Sequence, residues 1–158
     1  MKGKCKAYFS SAILIALLCG VFLIANPVEC NAGSLDRYEY KGFVYTVRDN
    51  GTEVNIMGYN GSEKKMVIPT MVPLPNGSGY ANVAIIAPGA FSGNSKIEEV
   101  VIPYFMRVIL ENAFLNCNNL NKVYYEGSEG EWNTTVLPHT SSRGNEALEE
   151  ADYYYLMG

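Results

Sequence analysis

The sequence predicts a short α/β solenoid in which short parallel strands alternate with single helical turns, preceded by a β-hairpin and followed by a small α+β segment. Three observations carry this prediction. A stretch of the chain repeats at a fixed spacing, the repeated unit holds a short alternating apolar strand ended by proline, and each copy has an Ala-Phe pair in a connection too short for a long helix.

The repeat is visible on sliding the chain against itself. Moving the segment Val83 to Ile102 forward until Ile86 lies on Ile109 also sets Ala90-Phe91 on Ala113-Phe114, Asn94 on Cys117, Ile97 on Leu120 and Val100 on Val123, without a gap. A third, partial copy precedes these, since Met66-Val67-Ile68-Pro69 recurs as Val100-Val101-Ile102-Pro103. Those two copies stand eleven positions further apart than the complete ones, and the surplus coincides with the turn-rich run Pro73-Leu74-Pro75-Asn76-Gly77-Ser78-Gly79. Residues 70–82 are therefore expected to be an insertion of loop character.

Within each unit, alternation on a short strand puts Val100 and Ile102 on one face, with Ile97 turning in at the corner. Pro103 ends the pairing because it has no N–H to donate. A single helical turn between Pro88-Gly89 and Gly93 drops Phe91 into the core, as its counterpart drops Phe114. Cys117 falls on a core position, where a small buried thiol is the common state.

The spacing Ile97-x-x-Val100-x-Ile102, repeated as Leu120-x-x-Val123-x-Tyr125, is that of a leucine-rich repeat. Together with Val-Ile-Pro, with Ala-Phe followed three residues later by Asn94 or Cys117, and with the tail from Val123 to Tyr155, these residues resemble the BspA-type leucine-rich repeat of secreted and cell-surface proteins. The resemblance spans about Glu53 to Tyr155. It implies adhesion or host-surface interaction with a protein or surface glycoprotein. The family usually has Ile-Gly before Ala-Phe, whereas Ala87-Pro88-Gly89 and Leu110-Glu111-Asn112 stand there in this chain.

Ahead of the repeats, Phe43-Val44-Tyr45-Thr46-Val47 alternates into the turn signal Asp49-Asn50-Gly51 and returns from Thr52 to Met57, which reads as a hairpin covering the open edge of the first repeat. Asp49-x-Gly51-x-Glu53 has the look of a calcium loop, but the later acidic ligands are missing. After the repeats, Ser128 and Glu131 form a capping box for a short helix reaching Asn133, and Trp132 is expected to plug the end of the core. Residues 145–151 read as a second short helix and Tyr153 to Tyr155 as a terminal strand. The domain layout is thus a signal segment 1–32 and one repeat domain 33–158, divided into an N-terminal hairpin 33–58, repeats 59–126 and a C-terminal segment 127–158.

The signal segment shows Lys2, Lys4 and Lys6, then an uncharged apolar run from Ala7 to Ala25, then Cys30-Asn31-Ala32, the order of a secretory signal peptide cut after Ala32. The alternative is an uncleaved anchor, because nineteen residues just span a bilayer; this is the only route to a membrane in the chain. Removing the segment takes away three of the 12 basic and one of the 16 acidic residues, leaving 9 and 15, a formal charge of −6. Such a balance excludes a nucleic-acid footprint, which needs clustered cations to displace counterions from phosphates. The mature chain keeps only Cys117, so no internal disulfide supports it at an oxidising address.

Catalytic sets are absent from the sequence. The one histidine, His139, sits in the polar run Pro138-His139-Thr140-Ser141-Ser142, and neither a triad nor a zinc site can be assembled around it. Glu98-Glu99 and Glu149-Glu150 are adjacent pairs that point apart, unlike a glycosidase dyad. No enzyme, cofactor or metal is implied. Sequons at Asn60, Asn76 and Asn133 are glycan acceptors in a eukaryotic secretory pathway and ordinary turns in a bacterium.

What remains is a surface. If Met66, Val100 and Val123 face the core, alternation turns Val67, Val101 and Tyr124 outward in one row and Lys65, Glu99 and Lys122 in the row beside it. The charged row alternates in sign across neighbouring strands and supports the pairing. The apolar row is either a small contact patch or a by-product of β-propensity. The expected function is an exported, non-enzymatic binding module; the alternative is a structural envelope or assembly subunit without a foreign ligand. The mature protein is expected to begin at Gly33 and to lie outside the cytoplasm. N-terminal sequencing of secreted and membrane fractions checks this, and an intact Met1 in a soluble cytoplasmic pool is the contrary outcome.

Overall fold

The computed structural model describes residues 36–136, 140 and 143–157, which fall in one compact unit, Leu35–Gly158. The signal segment 1–32, His139, Ser141 and Ser142 lie outside the described residues.

Two ladders of parallel strands face each other across the core. The first runs β4 (Lys65–Val67), β7 (Glu99–Ile102), β9 (Lys122–Tyr125) and β10 (Asp152–Tyr155), with every neighbouring pair parallel. The register matches the repeat: Lys65 pairs with Glu99 and Glu99 with Lys122. The second ladder sets β3 (Glu53–Tyr59), β6 (Tyr80–Ile86) and β8 (Val108–Ile109) side by side, with Ile56 against Ile86 and Ile86 against Ile109. Those three isoleucines are fully buried, as are Met66, Val100 and Val123 on the opposing sheet. β1 (Tyr38–Tyr40) and β2 (Phe43–Val47) continue the second sheet antiparallel beyond β3.

The expected hairpin between β2 and β3 is present, and its turn has a clear local cause. Gly51 takes a left-handed backbone (φ 66°), and the Asn50 side-chain oxygen accepts from the N–H groups of Thr52 and Glu53 at 3.1 and 3.3 Å. Strand β1 is an addition to that hairpin which residue pattern does not announce. It folds back through a Lys41-Gly42 turn in which both residues have positive φ.

The insertion also differs from expectation. Residues 70–82 are not simply a loop: β5 (Met71–Pro73) and the start of β6 form an antiparallel hairpin that buries Val72 and Ala81. Its strand β5 is tied down by the Tyr45 hydroxyl, which donates to the Pro73 carbonyl at 2.6 Å. Proline is tolerated there because β5 is an edge strand.

The corners that carry Phe91 and Phe114 are runs of tight turns rather than helical turns. Within one corner, Ser92 N–H donates to Gly89 O and Asn94 N–H to Phe91 O, both at 3.1 Å. The intervening N–H groups leave the corner altogether. Gly89, Phe91 and Gly93 donate to the carbonyls of Glu111, Ala113 and Leu115 at 3.1, 2.9 and 2.7 Å, so successive corners stack through their main chains. This needs left-handed residues at repeating positions, supplied by Gly89 (φ 67°) and Asn112 (φ 58°), and by Gly93 (φ 77°) and Asn116 (φ 60°), the members of each pair standing one repeat apart. The Phe91 and Phe114 rings pack together, tilted at 53° with centroids 5.1 Å apart, both buried. The Cys117 thiol, fully buried, donates to Phe91 O at 3.2 Å.

One more corner follows without the repeat motif. Arg143 O accepts from Asn112 N–H at 2.8 Å, as Glu111 O accepts from Gly89. At the next position the chain departs, because the Asn145 carbonyl is occupied by Leu148 and Glu149 N–H at the start of helix α2 (Glu146–Glu149). The Asn145 side chain supplies the missing groups: its oxygen accepts from Phe114 N–H at 2.9 Å and its amide donates to Leu110 O at 3.0 Å. Asn145 has no exposed surface. Between β9 and this corner, Ser128 and Glu131 form the expected capping box of α1 (Glu129–Glu131), which continues as a π-helical stretch from Trp132 to Val136. Trp132 is 3% exposed and packs on Tyr125 and Tyr153 at centroid distances of 5.1 and 5.2 Å.

Asn145→Ala orphans the buried Phe114 N–H, worth roughly 1–3 kcal/mol, and leaves the part-buried Leu110 carbonyl with only the long bond from Ala113 N–H. The variant is expected to unfold at clearly lower urea than the parent with an unchanged denaturant slope, measured by chemical denaturation. An unaltered midpoint would contradict this role for the side chain.

Candidate partner-binding face

The outer face of the β4-β7-β9-β10 sheet is built by strict alternation. Residues 66 and 68, 100 and 102, and 123 and 125 turn in, so Lys65 and Val67, Glu99 and Val101, and Lys122 and Tyr124 turn out. All six side chains singled out in the sequence meet on this one face.

The charged row behaves as its signs require. Glu99 receives the Lys65 ammonium at 3.2 Å from one side and that of Lys122 at 3.4 Å from the other. The hydrogen bond from Lys65 is the main reason the Glu99 carboxyl is held below the usual carboxylate range, with Lys122 adding to it; the Lys122 ammonium is correspondingly raised by its bond to Glu99. Beside this row, Lys64 and Glu98 pair at 2.6 Å.

The apolar row is different from the exposed stripe expected. Val67 is 54% exposed, but Val101 is only 9% exposed and Tyr124 is half-buried. The Lys65 ammonium lies 4.2 Å from the centre of the Tyr124 ring, two strands away, so its stem crosses β7 on the face that Glu99 and Val101 share. A cation over an aromatic face is favourable. Val101 is accordingly an outward-facing residue with little exposed surface of its own.

Two residues of the face escape a reading of the sequence. Tyr154 on β10 stacks on Tyr124 with centroids 5.0 Å apart and ring planes at 22°, and is 43% exposed; Asp152 stands beside Lys122 in the register. The signal is present: Asp152-Tyr153-Tyr154-Tyr155 has the alternation and the paired tyrosines of Lys122-Val123-Tyr124-Tyr125. A break in the repeat spacing hides it, because Tyr154 stands further along the chain from Tyr124 than one repeat. The face therefore ends in an exposed tyrosine stack beside a charge row that continues as Lys65, Glu99, Lys122, Asp152.

Elsewhere, a cleft of about 240 Å³ is lined by Glu53, Tyr104, Phe105, Arg107 and Glu131 among others. Its carboxylates are engaged: Glu53 pairs with Arg107 and Arg48, and Glu131 accepts from Ser128 and the Tyr104 hydroxyl. Among the described residues no three His, Cys, Asp or Glu side chains converge as a metal set would. Asn60, Asn76 and Asn133 are all exposed.

Structural comparison finds solved proteins of similar architecture. A leucine-rich repeat protein from Bacteroides capillosus ATCC 29799 superposes with a TM-score of 0.51 at 23% identity, over 57% of this chain and 70% of its own. A leucine-rich cell-surface protein from Faecalibacterium prausnitzii A2-165 superposes with a TM-score of 0.59 at 20% identity, over 78% of this chain. This is a leucine-rich-repeat fold. A leucine-rich repeat protein from Bacteroides ovatus ATCC 8483 matches at 26% identity with a TM-score of 0.50, over 55% of this chain. The leucine-rich-repeat chain spans only 32% of the F. prausnitzii protein and 23% of the B. ovatus one. No protein-family model matches the sequence, and no curated protein matches it.

Because the folded-state value of Glu99 is depressed, its contribution is present above the carboxylate's unfolded pKa and is lost as pH falls through the folded value. Glu99→Gln is expected to be less stable than the parent at neutral pH, with the gap closing as pH falls into and below the ordinary carboxylate range. Thermal midpoints of both proteins across that range test it; a gap independent of pH would show that the ion pairs contribute nothing.

Proposed function

We propose that this chain is an exported, non-enzymatic leucine-rich-repeat module that binds a protein or surface glycoprotein through the outer face of the β4-β7-β9-β10 sheet. The observation that carries the reading is the exposed end of that face, where Tyr154 stacks on Tyr124 beside the fixed charge row. Stacked tyrosines give a rigid, amphipathic contact area at low entropic cost, and the salt-bridged lysines and glutamate hold their positions before a partner arrives. The lining of the sheet by short parallel strands is the surface through which repeat proteins commonly bind.

Export rests on the order of the 1–32 segment, and the F. prausnitzii protein of the same fold is a cell-surface protein. In this reading residues 33–58 and 127–158 close the two ends of the repeats 59–126, which are too few to bury a core alone. The buried Phe43, Tyr45, Trp132 and Leu148 support that division, as apolar side chains placed at the ends of the stack. The engaged carboxylates of the cleft favour a binding role over catalysis.

The experiment is binding of the purified protein to immobilised extracellular-matrix glycoproteins, before and after enzymatic deglycosylation. Val67→Glu with Tyr154→Lys alters only exposed positions and is expected to leave the thermal midpoint nearly unchanged. It is expected to weaken binding by about tenfold or more, equivalent to about 1.4 kcal/mol. A folded double variant that binds like the parent removes this face from consideration, and no binding by the parent to any surface or matrix protein sinks the adhesion reading.

A further inference from the structure

Both outer strands of the four-stranded parallel sheet present an open edge among the described residues. At β4, Lys64 O accepts from Glu99 N–H at 3.0 Å and Ile68 N–H donates to Val101 O at 3.1 Å, so residues 64 and 68 direct their main-chain groups to β7. Main-chain groups of successive residues in a strand point to opposite sides, which turns the N–H and C=O of Lys65 and Val67 away from the sheet. At β10, Asp152 N–H donates to Asn121 O and Leu156 N–H to Tyr125 O, both at 2.9 Å, so Tyr153 and Tyr155 direct theirs outward at the other end.

The two edges differ, and they match each other. Along the ladder, each strand uses the 65 and 67 positions to bond the strand before it and the 66 and 68 positions to bond the strand after it. β4 offers the first set and β10, through Tyr153 and Tyr155, the second. Placing β4 of another copy beside β10 in the same register therefore repeats the pattern already used three times within the chain. It also continues the charge row. The sequence Lys65, Glu99, Lys122, Asp152 ends on an acid, and the next residue in line is the lysine of the following copy. Parallel pairing of two identical edges sets lysine beside lysine or aspartate beside aspartate. Apolar side chains are exposed at both sites as well: Val67 at 54% on one, Leu156 at 58% and Met157 at 51% just beyond the other.

We propose that the protein associates head to tail with further copies of itself, β10 of one copy pairing with β4 of the next. Such a contact is heterologous and does not close on itself, so it builds open chains of copies. Only a few main-chain bonds form at each junction, which makes the association weak and concentration-dependent. The inference shares Val67 and the charge row with the face proposed above, but it needs no foreign partner, because the strand edges carry it.

Sedimentation velocity of the purified protein from about 1 to about 500 µM, a range that spans weak contacts, is expected to show dimers and higher species growing with concentration. Val67→Pro removes an outward N–H from β4 without touching a bond to β7, and Tyr155→Pro does the same at β10. Each variant alone is expected to remain monomeric, and an equimolar mixture is expected to form dimers only, since it contains one competent edge of each kind. Asp152→Lys leaves the core intact and is expected to weaken self-association about tenfold, which keeps the test decisive if a proline variant misfolds. A parent that stays monomeric throughout the range overturns the proposal, as does an Asp152→Lys protein that associates like the parent. So does dimer formation by Val67→Pro alone, which would reveal pairing of identical edges.

Discussion

The structure depends on the main-chain bonds that join one corner of the repeat to the next. Gly89, Phe91 and Gly93 give their N–H groups to the corner of Glu111, Ala113 and Leu115, which fixes the rise from turn to turn. Everything else is placed by that rise. It brings the Phe91 and Phe114 rings into contact, sets Ile86 beside Ile109, and spaces β7 and β9 so that Glu99 lies beside Lys122. The bonds require a left-handed backbone at two points in each corner, and in this chain glycine serves one corner while asparagine serves the other. Asparagine is the non-glycine residue for which that conformation is least costly, because its short polar side chain can bond locally. The apparent departure from the usual Ile-Gly motif is thus a substitution that keeps the backbone geometry.

A stack of such corners has to stop without leaving main-chain groups buried and unsatisfied. Asn145 solves this with a side chain. Once helix α2 takes up its carbonyl, its side-chain amide provides an acceptor for the buried Phe114 N–H and a donor for the part-buried Leu110 O. The chain leaves the repeat here and then rejoins the ladder as β10, so a segment with no repeat motif still supplies a fourth parallel strand. Trp132 fills the space beneath it, held between Tyr125 and Tyr153. Burial pushes the Tyr153 hydroxyl well above its ordinary pKa, which keeps it a neutral donor to the Leu148 carbonyl.

On the outer face, charge and packing act together. Glu99 is held between two lysines, and Lys65 reaches past it to the Tyr124 ring. One long side chain so accounts for both an ion pair and a cation–aromatic contact. The tyrosine stack beyond it remains open.

Much of this is legible in the sequence. The fixed repeat offset, the Val-Ile-Pro strand ends, the Asp49-Asn50-Gly51 turn and the capping box of Ser128 and Glu131 each follow from short-range rules, and the two phenylalanines and the six outward residues follow from period and alternation. These are properties of residue type and spacing, which a linear chain states by itself. Tertiary structure alone decided the rest. The hairpin of the insertion is anchored by Tyr45, far back in the chain, whose hydroxyl reaches the Pro73 carbonyl. That Lys65 reaches Tyr124 depends on which way its stem runs across two strands, and that Asn145 ends the corners while Tyr154 extends the face depends on a chain return of irregular length. Alternation tells which side of a strand a residue faces. Whether that side is open is settled by side chains from strands that the sequence does not place next to it.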